Sequence, residues 1–272
     1  MNTNIPLTLP FYQVDAFTAQ PFGGNPAAVM PLREWPDDSV LKAIAAENNL
    51  SETAFFAPLD DGFHLRWFTP AVEVDLCGHA TLAASWILFN VLNYPGETLR
   101  FSTRSGLLTV RREGDELCMD FPTKMLRPID EPPGLLAALG LSEGVEGFWQ
   151  SDDIVVLVND KAIVDALTPD FNLLAAFNTR GVIVTAPDDE FDFVSRWFGP
   201  QVGVNEDPVT GSAHAWLAPF WAKRCGKNSL CAQQGGARKG TLRCVMREEG
   251  RVALYGQARL MIEGTFRLSH NG

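Results

Sequence analysis

A chain of 272 residues with 46% hydrophobic and 20% charged residues is long enough to bury one large core or two modest ones, and this composition excludes a disordered or fibrous protein. Lys plus Arg number 22 against 33 Asp plus Glu, a net charge of −11 with no basic block, which excludes nucleic acid and anionic membrane as partners. Five cysteines without a C-x-x-C pair fit reduced thiols in a cytoplasmic protein. An anionic substrate stays admissible, because a few oriented backbone N–H groups can overcome a diffuse negative field.

The first residues carry neither a basic start nor an unbroken apolar core, so no secretory signal is expected. Gly23-Gly24-Asn25-Pro26 reads as a turn whose Asn25 amide can face a substrate. Asp37 or Asp38 caps a helix that runs to Glu47 and stops at Asn48-Asn49. A strand follows over 53–57 and another over 65–68, ended by Pro70. The longest apolar run, 80–92, contains Asn90 and is shorter than the roughly 20 residues of a membrane span, so it predicts a buried helix over 79–89.

Strands are expected over 106–111 and 116–121, then a joint near 123–133, then strands over 154–158, 181–185 and 192–198. A second apolar helix is expected over 212–223, with Pro219 kinking it or marking its start. Strands over 241–246 and 251–255 follow. Strands outnumber helices, which suggests an α/β (α+β) protein of two units, each a sheet curled around a central helix. The expected division is 1–124 and 125–272, with 257–272 as a segment able to return to the first half.

An internal repeat supports that division. Arg66-Trp67-Phe68-Thr69-Pro70 recurs as Arg196-Trp197-Phe198-Gly199-Pro200, and Val72-x-Val74-Asp75 as Val202-x-Val204-Asn205. After a three-residue offset, Cys77-Gly78-His79-Ala80 is echoed by Thr210-Gly211-Ser212-Ala213. A spacing of 130 residues, from 66 to 196, is too long for a solenoid and indicates a duplicated domain.

Each copy offers a helix N-terminus, whose unpaired N–H groups suit a carboxylate or an enolate-like oxygen. These ends begin at Gly78-His79 and Gly211-Ser212. Glu52 lies between a helix stop and an apolar strand beside Phe55 and Phe56, where partial desolvation raises a carboxylate pKa toward the range useful for proton abstraction; a turn residue is the alternative. Glu206 and Asp207 precede the second helix, and either can orient His79 or simply cap the helix. Cys77 beside His79 is a candidate nucleophile, but Thr210 at the matching position removes a two-cysteine mechanism. His64, His79, His214 and His270 show no metal-ligand spacing with one another or with the cysteines, and no dinucleotide or P-loop motif occurs.

Asp15-Ala16-Phe17, Gly24-Asn25-Pro26, Asn49-Leu50-Ser51-Glu52-Thr53, Cys77-Gly78-His79 and Glu206-Asp207-x-x-Thr210-Gly211-Ser212 together resemble the PhzF-like family of phenazine-biosynthesis proteins. The resemblance spans Phe11 to about Trp216. It implies a diaminopimelate epimerase-like fold of two pseudo-symmetric halves with the active site between them, and a cytoplasmic homodimer. It also implies an isomerase needing no metal or cofactor, like the member that isomerises trans-2,3-dihydro-3-hydroxyanthranilate, acting here on a small carboxylate.

By the same resemblance Glu52 is the acid/base, and His79, Asp207 and Ser212 assist it. Gly78 and Gly211 hold the substrate carboxylate, with Asn25, Ser51 and Thr210 also assigned to substrate binding. Cys77 departs from the phenazine enzyme's pattern, and His214 is expected to narrow the substrate space. The other readings are a Cys77-dependent racemase or hydrolase and a non-catalytic small-molecule binder on the same fold.

Overall fold

The computed structural model describes residues 7–268; His270 lies outside them. Among the described residues two compact units emerge: the first comprises 7–21, 26–119 and 257–268, the second 22–25 and 120–256.

In the first unit β1 (Leu7–Ala16) precedes β2 (Asn25–Pro31) and helix α1 (Asp38–Asn48). Leu41, Ile44 and Ala45 of α1 are buried against Met30, Phe55 and Phe68, the i, i+3, i+4 spacing of an amphipathic helix. Asn49 ends the helix in the left-handed conformation at φ 49°, which asparagine tolerates better than most residues. The chain then forms β3 (Glu52–Leu59), β4 (Gly62–Phe68) and the short β5 (Glu73–Val74).

Helix α2 (Gly78–Asn90) follows, with ten of its residues buried; a helix apolar on every face belongs inside a unit. It contacts β1, β3 and β18. Strands β6 (Thr98–Thr103), β7 (Gly106–Glu113) and β8 (Glu116–Pro122) form an antiparallel meander.

The second unit continues with β9 (Arg127–Ile129), α3 (Leu135–Leu139), β10 (Val145–Gln150) and β11 (Ile154–Val158). Two short helices, α4 (Lys161–Asp165) and α5 (Phe171–Leu174), are capped by Asp160 and Asp170, whose carboxylates accept backbone N–H groups. Then come β12 (Val182–Ala186), β13 (Phe193–Gly199), a 3-10 turn at Pro200–Val202, and β14 (Val204–Asp207). Helix α6 (Gly211–Cys225) leads to β15 (Ser229–Gln234), β16 (Gly240–Arg247) and β17 (Arg251–Gly256). Strand β18 (Ala258–Leu268) runs antiparallel to β1 in the first unit.

The repeat in sequence is a repeat in topology. Strand β2 is parallel to β3, β3 antiparallel to β4, and β4 parallel to β6; likewise β11 is parallel to β12, β12 antiparallel to β13, and β13 parallel to β15. Each R-W-F strand therefore lies between the strand before it and the strand after its central helix. The two arginines do the same work: Arg66 donates from Nε and Nη2 to Glu73 at 2.7 and 2.8 Å, and Arg196 from Nε and Nη2 to Glu206 at 2.8 and 2.8 Å. Each also lies over the phenylalanine two residues on, Phe68 or Phe198. Glu206 is thus a structural partner of Arg196, as Glu73 is of Arg66.

Pro219 neither starts nor ends α6, which continues six residues beyond it to Cys225. Proline forfeits one helical hydrogen bond, and the burial of Trp216, Leu217, Ala218 and Trp221 outweighs that loss. The chain turns at Pro21-Phe22 and bends at Gly24, with Phe22 at φ 65° and Gly24 at φ 62°, but Asn25 already belongs to β2.

Candidate active site

Glu52 is the first residue of β3, placed by the α1 stop and paired in parallel register with Ala27. Asn48 steadies this entry by donating from Nδ2 to Thr53 Oγ1 at 3.1 Å. Ser51 is half-buried just before it. Cys77 is the extended residue before α2, and its carbonyl accepts both the backbone N–H and the hydroxyl of Thr81.

This start aims His79, the second residue of α2, at the β3 entry: His79 Nε2 lies 3.2 Å from Glu52 Oε2, while Cys77 Sγ lies 3.5 Å from His79 Nδ1. The imidazole is buried, and the Glu52 side chain keeps 15% of its surface exposed. Burial pushes the His79 pKa down to about 3, so the ring is neutral near pH 7 although a carboxylate adjoins it. The Nε2–Oε2 approach is short enough to pass a proton but is not aligned as a formed hydrogen bond, a common state of catalytic contacts without substrate.

The second unit holds the other half of the expected set. Asp207 ends β14, and its carboxylate accepts Asn25 Nδ2 at 2.6 Å and Thr210 Oγ1 at 2.6 Å. Burial pushes its pKa up to about 6; the bonds from Thr210 and Asn25 and the Arg180 guanidinium pull down, while Glu206 pushes up. Asn25 spends its remaining amide hydrogen bond on Val209 O at 3.0 Å. Its NH₂ group therefore holds Asp207 rather than facing a substrate. The Thr210 N–H is likewise used, donating to Gln234 Oε1 at 3.1 Å.

Ser212, the second residue of α6, accepts Arg180 Nη1 at 2.7 Å. Arg180 is fixed from behind by the fully buried Asp153, which accepts from both Nε and Nη2 and also from Trp216 Nε1. Sequence reasoning missed Arg180, Asp153 and Gln234, since none stands in a motif or beside a predicted helix end. His214 is fully buried, its Nδ1 bonds Thr210 O at 2.9 Å, and it lies against Phe193. Burial lowers its pKa to about 4, so it is neutral too.

Gly78 and Gly211 are the first residues of α2 and α6, and neither helix has a side-chain cap on its N-terminus. By contrast α4 and α5 are capped by aspartates. Uncapped N-terminal amides of long helices can serve an anion. No helix among the described residues is long and apolar enough to cross a membrane.

Residues 14–264 match the model of the phenazine biosynthesis-like protein family, PhzC-PhzF. The chain belongs to that family. Among its relatives are two uncharacterized isomerases of Pseudomonas aeruginosa, 58% identical over 96% of this chain and 100% of the relative, and 49% identical over 97% and 100%. The human phenazine biosynthesis-like domain-containing protein is 40% identical over 95% of this chain and 99% of its own length. A PhzF-family crystal structure from Enterococcus faecalis superposes with a TM-score of 0.92 at 44% identity, over 96% of this chain and 99% of that one.

The wider fold group includes a hydroxyproline epimerase from Agrobacterium vitis with bound trans-4-hydroxy-L-proline, TM-score 0.60 at 10% identity over 97% and 92% of the two chains. At that distance the likeness is one of fold. The PhzF fold is thus the epimerase-like one expected from the sequence, mixed α+β and dominated by sheet.

Proposed function

We propose that this PhzF-family chain is a cofactor-independent isomerase that moves a proton on a small cyclic or unsaturated amino or hydroxy carboxylate, with Glu52 as acid/base. The observation that carries the reading is the 3.2 Å approach of His79 Nε2 to Glu52 Oε2. A carboxylate at that distance from a neutral imidazole can take a proton from a carbon, relay or share it with the ring, and return it to a second carbon.

Charge developing on the substrate needs fixed dipoles, and the uncapped starts of α2 and α6 at Gly78 and Gly211 are suited to supply them. Asp207, held by Asn25 and Thr210, and Ser212, held by Arg180, complete the set. The reading further takes the protein to be a cytoplasmic homodimer, to be checked by light scattering. The cysteines, none of them in a disulfide, agree with a reducing compartment.

A second reading rests on the 3.5 Å contact between Cys77 Sγ and His79 Nδ1, which permits a thiol-based racemase or hydrolase. Incubating the protein in D₂O with a panel of cyclic amino and hydroxy acids separates the two. Mass spectrometry is expected to show carbon-bound deuterium with the wild type and with Cys77→Ala alike. Exchange lost in Cys77→Ala would transfer the chemistry to the thiol, and binding without exchange would make the protein a binder.

A further inference from the structure

Glu52, Cys77 and His79 each place one potential ligand atom, a carboxylate oxygen, Sγ and a ring nitrogen, within 4.8 Å of the other two. No spacing in the sequence announces this trio, because Glu52 arrives from β3 while Cys77 and His79 come from the start of α2. Cys77 and His79 are buried and Glu52 is the member that reaches solvent. One sulfur, one imidazole nitrogen and one carboxylate oxygen are three of the four ligands a tetrahedral divalent ion takes, with the fourth position left to water.

Sulfur and imidazole together select zinc-class ions over magnesium or calcium, which take oxygen ligands. The two acidic ligands neutralise a divalent ion, which offsets the unfavourable placing of a cation at the positive end of α2. No other group of three or more His, Cys, Asp or Glu residues is so placed among the described residues.

We propose that Glu52, Cys77 and His79 form a binding site for a zinc-class divalent cation. Binding replaces the thiol proton, which leaves to solvent, by an Sγ–metal bond, with no change of oxidation state. The ion is a competitor and not a cofactor: once bound, it occupies the oxygen and nitrogen lone pairs that proton transfer needs, so it silences the enzyme reversibly. That last consequence rests on the isomerase reading; the site itself does not.

Cobalt(II) is the probe. Protein stripped with a chelator and titrated with Co²⁺ is expected to develop one equivalent of a near-ultraviolet thiolate-to-cobalt band together with the visible bands of a tetrahedral ion. Cys77→Ala should abolish the near-ultraviolet band, and Cys231→Ala, which removes the exposed thiol, should leave it intact. Glu52→Gln should keep the band but weaken binding by about tenfold or more, since even outer-shell changes cost that much. No band in the folded wild type, or a band that survives Cys77→Ala, overturns the proposal.

If Cys77→Ala does not fold, alkylation of the wild type decides. Zinc at about ten times its dissociation constant should slow modification of the Cys77 peptide about tenfold and leave the Cys231 peptide unchanged; equal rates overturn the site. Deuterium exchange by the stripped enzyme is read in parallel. Exchange without a cobalt band sinks the metal site alone, and a cobalt band without exchange sinks the isomerase reading alone.

Discussion

His79 Nε2 stands 3.2 Å from Glu52 Oε2, although the two residues come from a helix start and a strand start 27 positions apart in the chain (79 − 52). A neutral ring at that distance can hold the carboxylate in place and share its proton. His79→Gln, which keeps a polar group but loses the relay, should lower the rate of substrate deuterium exchange by about 10²- to 10⁴-fold. A loss under tenfold would assign the ring a packing role only.

Acid titration of stability has a defined sign. The folded chain holds His79 at about 3 and His214 at about 4, whereas unfolded histidines bind protons near 6.5. Between pH 6.5 and 4 the unfolded state therefore takes up more protons, and stability falls on acidification by up to about 1.4 kcal/mol per pH unit for each ring. Asp207 acts in the opposite sense: raised to about 6, it binds its proton first in the folded state and stabilises as pH falls from 6 toward 4. Urea midpoints across this range should fall less steeply for His79→Gln and more steeply for Asp207→Asn than for the wild type.

Arg180 joins a buried anion to a candidate site hydroxyl, bonding both Asp153 and Ser212. Arg180→Met leaves Asp153 with the Trp216 indole as its remaining donor among these side chains, and stripping a partner from a buried charge costs about 3–5 kcal/mol. Equilibrium urea unfolding should register that loss. A change below about 1 kcal/mol would mean that water or another group supports Asp153.

The repeated arginines should not be equally costly to remove. Glu73 keeps a second cation, Arg104, at 2.6 Å when Arg66 is lost. Arg66 also meets the largely exposed Asp38 at 2.9 Å, whereas Arg196, besides Glu206, donates to the buried backbone carbonyls of Val164 and Leu167. Arg196→Met is accordingly expected to cost about 3 kcal/mol or more and Arg66→Met less, read from the two unfolding midpoints. The reverse order would contradict the division of work drawn here.

What the sequence discloses follows from how local the cause is. The α1 stop at Asn49, the two apolar helices and the R-W-F strands are written in neighbouring residues. The duplication shows because both copies keep the same arginine over the same phenylalanine. Strand β1 escapes notice, and β18 shows only as a C-terminal segment able to return to the first half, because their pairing joins opposite ends of the described chain; helices of four or five residues such as α4 and α5 are too short to show a 3.6-residue period.

The candidate site divides in the same way. Glu52, His79, Asp207 and Ser212 stand in recognisable motifs, but what fixes them does not. Asn25 holds Asp207 from 182 residues away and Arg180 holds Ser212 from 32. Those are facts of tertiary packing, and only the folded chain states them.

The central claim is that Glu52 carries the proton. The measurement that tests it most directly is the rate at which metal-free protein exchanges a substrate C–H for deuterium in D₂O, wild type against Glu52→Gln. Glutamine preserves the shape and the buried surroundings but cannot take up a proton, so exchange should drop to the background of buffer alone while the folded structure, checked by circular dichroism, persists. Exchange by Glu52→Gln at the wild-type rate would contradict the account.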